Sequence, residues 1–183
     1  MKGFQNDTIL EDDTSSGFNL ERKTDDDEKT QRIGVEEFIN HPLYTKMNDY
    51  DFSLLRLKKP INFGGNDAHT PVCLPPADTF DQLDLNGRNL TVAGWGLHKE
   101  NAKATTRVLQ KLVVPYLPKE DCQKQLPKRI ILTGRMICGG DEKAGTDACN
   151  GDSGGPLMNQ QQPSKQWWQV GVVSWGELCN FFS

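Results

Sequence analysis

Cys149-Asn150-Gly151-Asp152-Ser153-Gly154-Gly155-Pro156-Leu157 is the stretch from which the rest of the chain is read. To attack a carbonyl, a serine Oγ must project from a sharply turned backbone that a substrate can approach closely. Flanking glycines permit both, because glycine lacks a Cβ and reaches positive φ at little cost. In such a turn the N–H groups of Gly151 and Ser153 are candidates to point together at an oxygen that becomes negative during attack. Asp152, directly before the serine, is a candidate switch that holds the loop by pairing with a cation. A shorter glycine–serine fragment would read equally well as an ordinary turn; the full run makes that reading much weaker.

Around this stretch the chain alternates short apolar segments with turns. Arg32 to Asn40 carries Ile33, Val35, Phe38 and Ile39. Asp51-Phe52-Ser53-Leu54-Leu55-Arg56-Leu57 is a second segment, stopped by Pro60. Leu90, Val92 and Trp95 alternate within Asn89 to Gly96, Val108 to Leu117 is rich in Leu and Val, and Trp168, Val170 and Val172 share one face of Trp167 to Gly176. Strands at these intervals, broken by Gly and Pro, predict an all-β barrel or sandwich. One helix is expected over Pro118 to Leu126, where proline and acids come first and lysine late, matching the helix dipole. Lys58 to Asp81, with Pro60, Gly64, Gly65, Pro71, Pro75 and Pro76, is the best candidate for a connection between two halves.

Composition narrows the function classes. The 183 residues are 36% hydrophobic and 25% charged, with a formal net charge of −4, so no basic field is present to recruit nucleic acid or an anionic membrane. No apolar run approaches a membrane span, and the polar N-terminus lacks the apolar core of a secretory signal. The five cysteines form no C-x-x-C pair, which gives little support to a zinc or thioredoxin-type site, and no metal is expected. Asp25, Asp26, Asp27 and Glu28 read as a solvated loop; calcium is the alternative, but so tight a run supplies spaced oxygen ligands poorly.

The Cys149–Leu157 segment resembles the active-site motif of the chymotrypsin/trypsin family of serine proteases. That resemblance implies a double six-stranded β-barrel, with residues 1–72 in the first barrel, 73–88 connecting and 89–183 in the second. It implies Ser153 as nucleophile and Asp51, in Asp51-Phe52-Ser53-Leu54-Leu55, as the acid that orients a histidine. Asp49 is a nearby rival, but Leu54-Leu55 fixes the frame on Asp51. Asp147 falls at the base of the family's primary specificity pocket, where a carboxylate selects Arg or Lys. Ala148 beside it removes a hydroxyl that would help seat Lys, which favours Arg. Ser174-Trp175-Gly176 resembles the strand that pairs with the substrate backbone, Gly176 keeping the pocket open. Asp152 would receive the amine freed by zymogen cleavage.

By the same resemblance Cys122 pairs with Cys138 and Cys149 with Cys179, and Cys73 links to an upstream regulatory region. A further disulfide of some relatives would fall at Leu90 and Asn159, and neither is cysteine. Residues 32–60, Asn89 to Gly96 and Met136 to Gly140 look most like arthropod clip-domain proteases. The implied product is a secreted endopeptidase of an extracellular cascade, without cofactor.

The general base is missing from these residues. Family order is His, Asp, Ser, so an Ala-Ala-His-Cys segment should precede Asp51. Of the three histidines only His41 precedes it, in a His-Pro-x-Tyr turn context; His69 and His98 follow in polar loops. The resemblance covers residues from about 32 to 179, and the family domain is expected to be truncated at both ends, without its activation strand, closing strand or C-terminal helix. Two readings follow. One is an inactive fragment of an active protease; the other is a non-catalytic homologue that serves as a binding or regulatory module.

Overall fold

The structure is a computed structural model. It describes residues 31–45, 48–61, 63, 70–79, 83–97, 105–106, 108–140 and 151–176, together with the backbone of 9–10. In chain order the elements are β1 (Ile9–Leu10), β2 (Gln31–Arg32), β3 (Val35–Asn40), β4 (Ser53–Leu57), β5 (Asn89–Gly94), β6 (Gln110–Leu117), α1 (Lys119–Gln125), β7 (Cys138–Gly139), β8 (Pro156–Gln160) and β9 (Trp167–Val172).

The alternating residues of β5 form the centre of a five-stranded antiparallel sheet in the order β7-β6-β5-β8-β9. Leu90 and Val92 face its core with Val114, Leu157, Val170, Val173 and Leu85, and Trp168, Leu112 and Tyr116 pack around them. Thr91, between them, is buried as well. Successive side chains of a strand point to opposite faces, so β5 is covered on both. The register sets Thr91 opposite Met158 and Val92 opposite Leu157, which carries Leu90 and Asn159 into the same neighbourhood. Asn159 is buried, and its Nδ2 donates to the Asn89 carbonyl at 2.9 Å. A packed leucine and a satisfied amide therefore occupy the two positions where a disulfide was not expected.

A second cluster sits under α1, formed by Cys122, Leu126, Leu132 and Cys138 with Leu117, Ile130, Met136 and Trp175 packed against it. Pro118 stands at the N-cap position without a side-chain cap, Glu120 and Asp121 lie in the first turn and Lys124 in the last, as the charge order predicted. The Cys122–Cys138 disulfide ties α1 to β7.

β3 and β4 form a separate two-stranded antiparallel sheet, with Ile39 opposite Leu54 and Phe38 opposite Leu55. Phe38, Ile39, Leu54 and Leu55 are all exposed. Among the described residues no further strand joins this hairpin. The described residues are mostly β with one short helix, as in an incomplete trypsin-like double β-barrel. Cys73 makes an isolated bridge to Trp168: its N–H donates to Trp167 O at 3.1 Å, and Gln169 N–H donates to its carbonyl at 2.8 Å. Residue 73 therefore runs along the edge of β9 away from β8.

The strand β8 has no alternating signature. It opens on proline, which a first strand position tolerates, and it ends in the poor strand formers Asn159 and Gln160. Pairing with β5 and β9 makes it a strand, which is tertiary context overriding local propensity.

Candidate active site

The glycines around Ser153 take the conformations that the turn requires. Gly151 has φ +106° and Gly154 φ +84°, a region from which a Cβ is largely excluded. At Gly155 a Cβ would lie 2.8 Å from the Asp152 carbonyl oxygen, which the Gly155 N–H itself approaches at 2.9 Å. The loop is fastened to the strand end beyond β9: Gly154 N–H donates to Val173 O at 2.8 Å, and Val173 N–H donates to Gly155 O at 2.9 Å. Ser153 sits on this turn, exposed to solvent.

The residue after Val173 makes the connection to Asp51. Ser174 Oγ donates to Asp51 Oδ2 at 2.6 Å across 123 residues of sequence. A short bond to an ionised acceptor is among the stronger single hydrogen bonds. Val173 thus grips the Ser153 loop through its backbone, and Ser174 grips Asp51 through its side chain. Trp175 follows and packs into the helix cluster, its buried Nε1 without a partner among the described residues; Gly176 is exposed.

Asp152 reaches to the Gly94-Trp95-Gly96 segment. Its Oδ1 accepts the Gly96 N–H at 2.8 Å. A Cβ on Gly96 would lie 2.5 Å from Asp152 Cγ and Oδ2, and one on Gly94 would overlap Oδ1. The Gly94-Trp95-Gly96 segment is therefore the seat of the Asp152 carboxylate, and both its glycines are needed for close approach.

The turn leading into Asp51 is strained. Asn48 has φ 59° and Tyr50 φ 57°. Asparagine tolerates this region, whereas a bulky residue such as Tyr50 is an outlier there, at a cost of about 1–2 kcal/mol. Hydrogen bonds within the turn run from Asn48 N–H to Thr45 O at 3.0 Å, from Thr45 N–H to Asp49 O at 3.1 Å, and from Phe52 N–H to Tyr50 O at 2.9 Å. Other contacts reach across from the segment before β7. Arg135 Nε and Nη2 engage Asp49 Oδ1 at 3.0 Å and Oδ2 at 2.5 Å, and Thr133 Oγ1 donates to Oδ1 at 3.0 Å. The same guanidinium lies 4.1 Å from the Tyr50 ring centroid. The Arg135 bond holds the Asp49 carboxyl below its ordinary range; partial burial opposes this, and the Thr133 hydroxyl adds to it. Arg135 is raised in turn, chiefly by its bond to Asp49.

His41 belongs to this cluster. Its ring stacks on Tyr50 at 4.4 Å, its N–H donates to Phe52 O at 3.3 Å, and its Nδ1 accepts the Leu43 N–H at 3.2 Å. It is a turn residue with one ring nitrogen engaged by its own backbone.

The expected site residues thus divide. Ser153, Asp51, Asp152, Gly151, Ser174, Trp175 and Gly176 are described, and the segment 173–174 brings the Ser153 loop and Asp51 together. Asp147, Ala148, Cys149, Cys179, His69, His98 and the acidic run Asp25–Glu28 lie outside the described residues. Cys73 is half-buried and outside any disulfide among the described residues, its Sγ accepting Gln166 Nε2 at 3.2 Å. Among the described residues no group of three or more His, Cys, Asp or Glu side chains is arranged to hold a metal. The sequence reading set Asp49 aside and did not single out Thr133, Tyr50 or Arg135. Only the adjacency of Asp49 to Asp51 hinted at them, because Arg135 lies 86 residues away.

The sequence matches the Trypsin family over residues 12–181, a span that opens ahead of residue 32. The chain is 40% identical over 151 residues to Suppressor of tumorigenicity 14 protein homolog of Bos taurus, covering 81% of this chain and 16% of that protein. It is 36% identical over 165 residues to Mannan-binding lectin serine protease 1 of Mus musculus, covering 89% and 22%. It is 36% identical over 149 residues to Vitamin K-dependent protein C of Equus caballus, covering 80% and 91%. The chain therefore spans less than a quarter of the length of the first two relatives. With a glycine-turned serine and an aspartate joined through one strand end, and a family match over nearly its whole length, the chain belongs to the trypsin-like serine protease family.

Proposed function

We propose that the full-length protein is an extracellular endopeptidase that cleaves after Arg or Lys, with Arg favoured, in a proteolytic cascade of the arthropod clip-domain type. The observation that carries the reading is the link from the Ser153 loop through Val173 and Ser174 to Asp51. In the family's established mechanism, Ser153 Oγ attacks the scissile carbonyl carbon as a histidine accepts its proton. The carbonyl oxygen becomes an oxyanion held by the Gly151 and Ser153 N–H groups. The amine leaves with the proton from the histidine, and water then releases the acyl group by the same route. Asp51 orients the histidine, and Asp152 holds the loop in its competent form.

Asp147 supports the substrate preference: a carboxylate at the pocket base pairs with a guanidinium or ammonium, and Ala148 favours Arg. The proposed division remains residues 1–72, 73–88 and 89–183, with Cys149 paired to Cys179 and Cys73 joined to a regulatory region. Calcium at the acidic run is a lesser element of the reading.

Among the described residues His41 is engaged in the turn around Tyr50, and His69 and His98, outside them, stand in polar segments of the sequence. The 183 residues alone are expected to show no turnover, and a non-catalytic regulatory module is the second reading. Cleavage profiling of the full-length protein on a peptide library separates the readings. Cutting after Arg and Lys, lost on Asp147→Ser, supports the protease; an unchanged profile in that variant removes the pocket assignment. No cleavage by the full-length protein favours the module.

A further inference from the structure

We propose that Arg135 is a positioning residue for Asp51, acting through Asp49 and the Tyr50 ring; this rests on the protease reading above. Asp51 is fixed on its C-terminal side by β4, which pairs with β3 from Ser53 onward. On its N-terminal side it hangs from a turn with two left-handed non-glycine residues, Asn48 and Tyr50. Asparagine tolerates that shape, but a bulky residue such as Tyr50 does not hold it unaided. Thr133 and Arg135 grip the turn from the segment leading into β7, at Asp49 on one side of Tyr50 and at the Tyr50 ring itself.

That segment is rigidly based. Leu132 is buried in the helix cluster and its N–H donates to Gln123 Oε1 at 2.9 Å, while Cys138 is bonded to Cys122. Asp51 is therefore held by two arms of the same sheet system. Ser174 holds its carboxylate, and Arg135 holds the backbone turn that aims it. Since Val173, beside Ser174, also carries the Ser153 loop, the two arms together set Asp51 relative to the nucleophile.

Magnitudes favour a geometric role over a stabilising one. The Arg135 side chain is 49% exposed and that of Asp49 16%, and ion pairs open to solvent contribute little to stability. Their geometry is nonetheless specific. The guanidinium forks onto both Asp49 oxygens while its Cζ lies 4.1 Å from the Tyr50 ring centroid, two contacts that an ammonium cannot make together. Small displacements of a catalytic group cost far more in rate than the contact costs in stability.

The test uses the full-length protein with Arg135→Gln, Arg135→Lys, Asp49→Asn and Asp51→Asn. Arg135→Gln is expected to lower kcat about tenfold, with KM within about twofold and with melting nearly unchanged. Asp49→Asn breaks the same fork nearly isosterically and should match it, which keeps the proposal testable if Arg135→Gln folds poorly. Arg135→Lys should recover little. The deciding measurement is Arg135→Gln in the Asp51→Asn background, where no further loss of kcat is expected because there is no longer an ionised Asp51 to aim. An equal loss in both backgrounds, or full activity of Arg135→Lys, would overturn the proposal. Wild-type activity of Asp51→Asn alone would instead overturn the protease reading on which it rests.

Discussion

Replacing Gly96 with alanine puts a methyl group where the Asp152 carboxylate now sits. The new Cβ would be 2.5 Å from Cγ and Oδ2 and 2.6 Å from Oδ1, so the carboxylate must move by about 1 Å to reach ordinary contact. Asp152 is short, and that movement breaks its 2.8 Å bond from the Gly96 N–H. A hydrogen bond to a charged acceptor contributes about 1.5–3 kcal/mol, and overpacking adds about 1–3 kcal/mol. Together these give a destabilisation of about 2.5–6 kcal/mol. At about 2–4 °C per kcal/mol for a domain of this size, even the lower bound shifts the melting midpoint by about 5–10 °C. Urea unfolding of the chain, followed by tryptophan fluorescence, measures it. Two other glycines calibrate the result. Gly87 has φ +68° and open space around its Cβ direction, so Gly87→Ala should cost only about 1–2 kcal/mol of backbone strain. Gly134 has open space and no positive φ, so Gly134→Ala should be neutral or stabilising by about 0.4–1 kcal/mol. The mechanism is specific to the Asp152 side chain. Asp152→Ala should therefore absorb most of the Gly96→Ala cost in the double variant. Simple additivity of the two substitutions would refute the reasoning.

Removing the Cys122–Cys138 bond as Cys122→Ala/Cys138→Ala opens a loop of sequence separation 16 and should cost about 3 kcal/mol in unfolding experiments under oxidising conditions. The Asp49–Arg135 pair predicts a pH dependence. The folded Asp49 carboxyl is held below its ordinary value of 3.8, so the unfolded chain takes up the proton first as pH falls. Its stabilisation is present above about pH 4–5 and is lost as pH drops through the folded value. Stability curves in Arg135→Gln should be flatter over that range than in the parent chain.

Much of this was legible because the relevant patterns are local. Leu90 and Val92 announce a strand by alternation, Pro118, Glu120 and Lys124 announce a short helix by charge order, and the glycines at 151, 154 and 155 announce a tight turn. Ser153 stands out inside that turn, whereas Asp51 stands out only through the resemblance of Asp51-Phe52-Ser53-Leu54-Leu55 to the family motif. What stayed hidden depends on tertiary pairing. β8 becomes a strand only between β5 and β9, since its own residues prefer other states. Gly94 and Gly96 read as ordinary strand-end glycines until Asp152 is seen to occupy the space that a side chain would take. Arg135 carries no local mark at all; its partner was dismissed as a rival to Asp51, and the turn that joins them is visible only in the left-handed backbone of Tyr50.

The most direct test of the account is covalent labelling of the full-length protein with a fluorophosphonate, followed by peptide mass spectrometry. The nucleophile Oγ displaces fluoride and retains the phosphonyl group. One equivalent of adduct on the peptide containing Ser153, absent in Ser153→Ala, is the expected result; no adduct, or an adduct on a different residue, would contradict Ser153 as the family nucleophile.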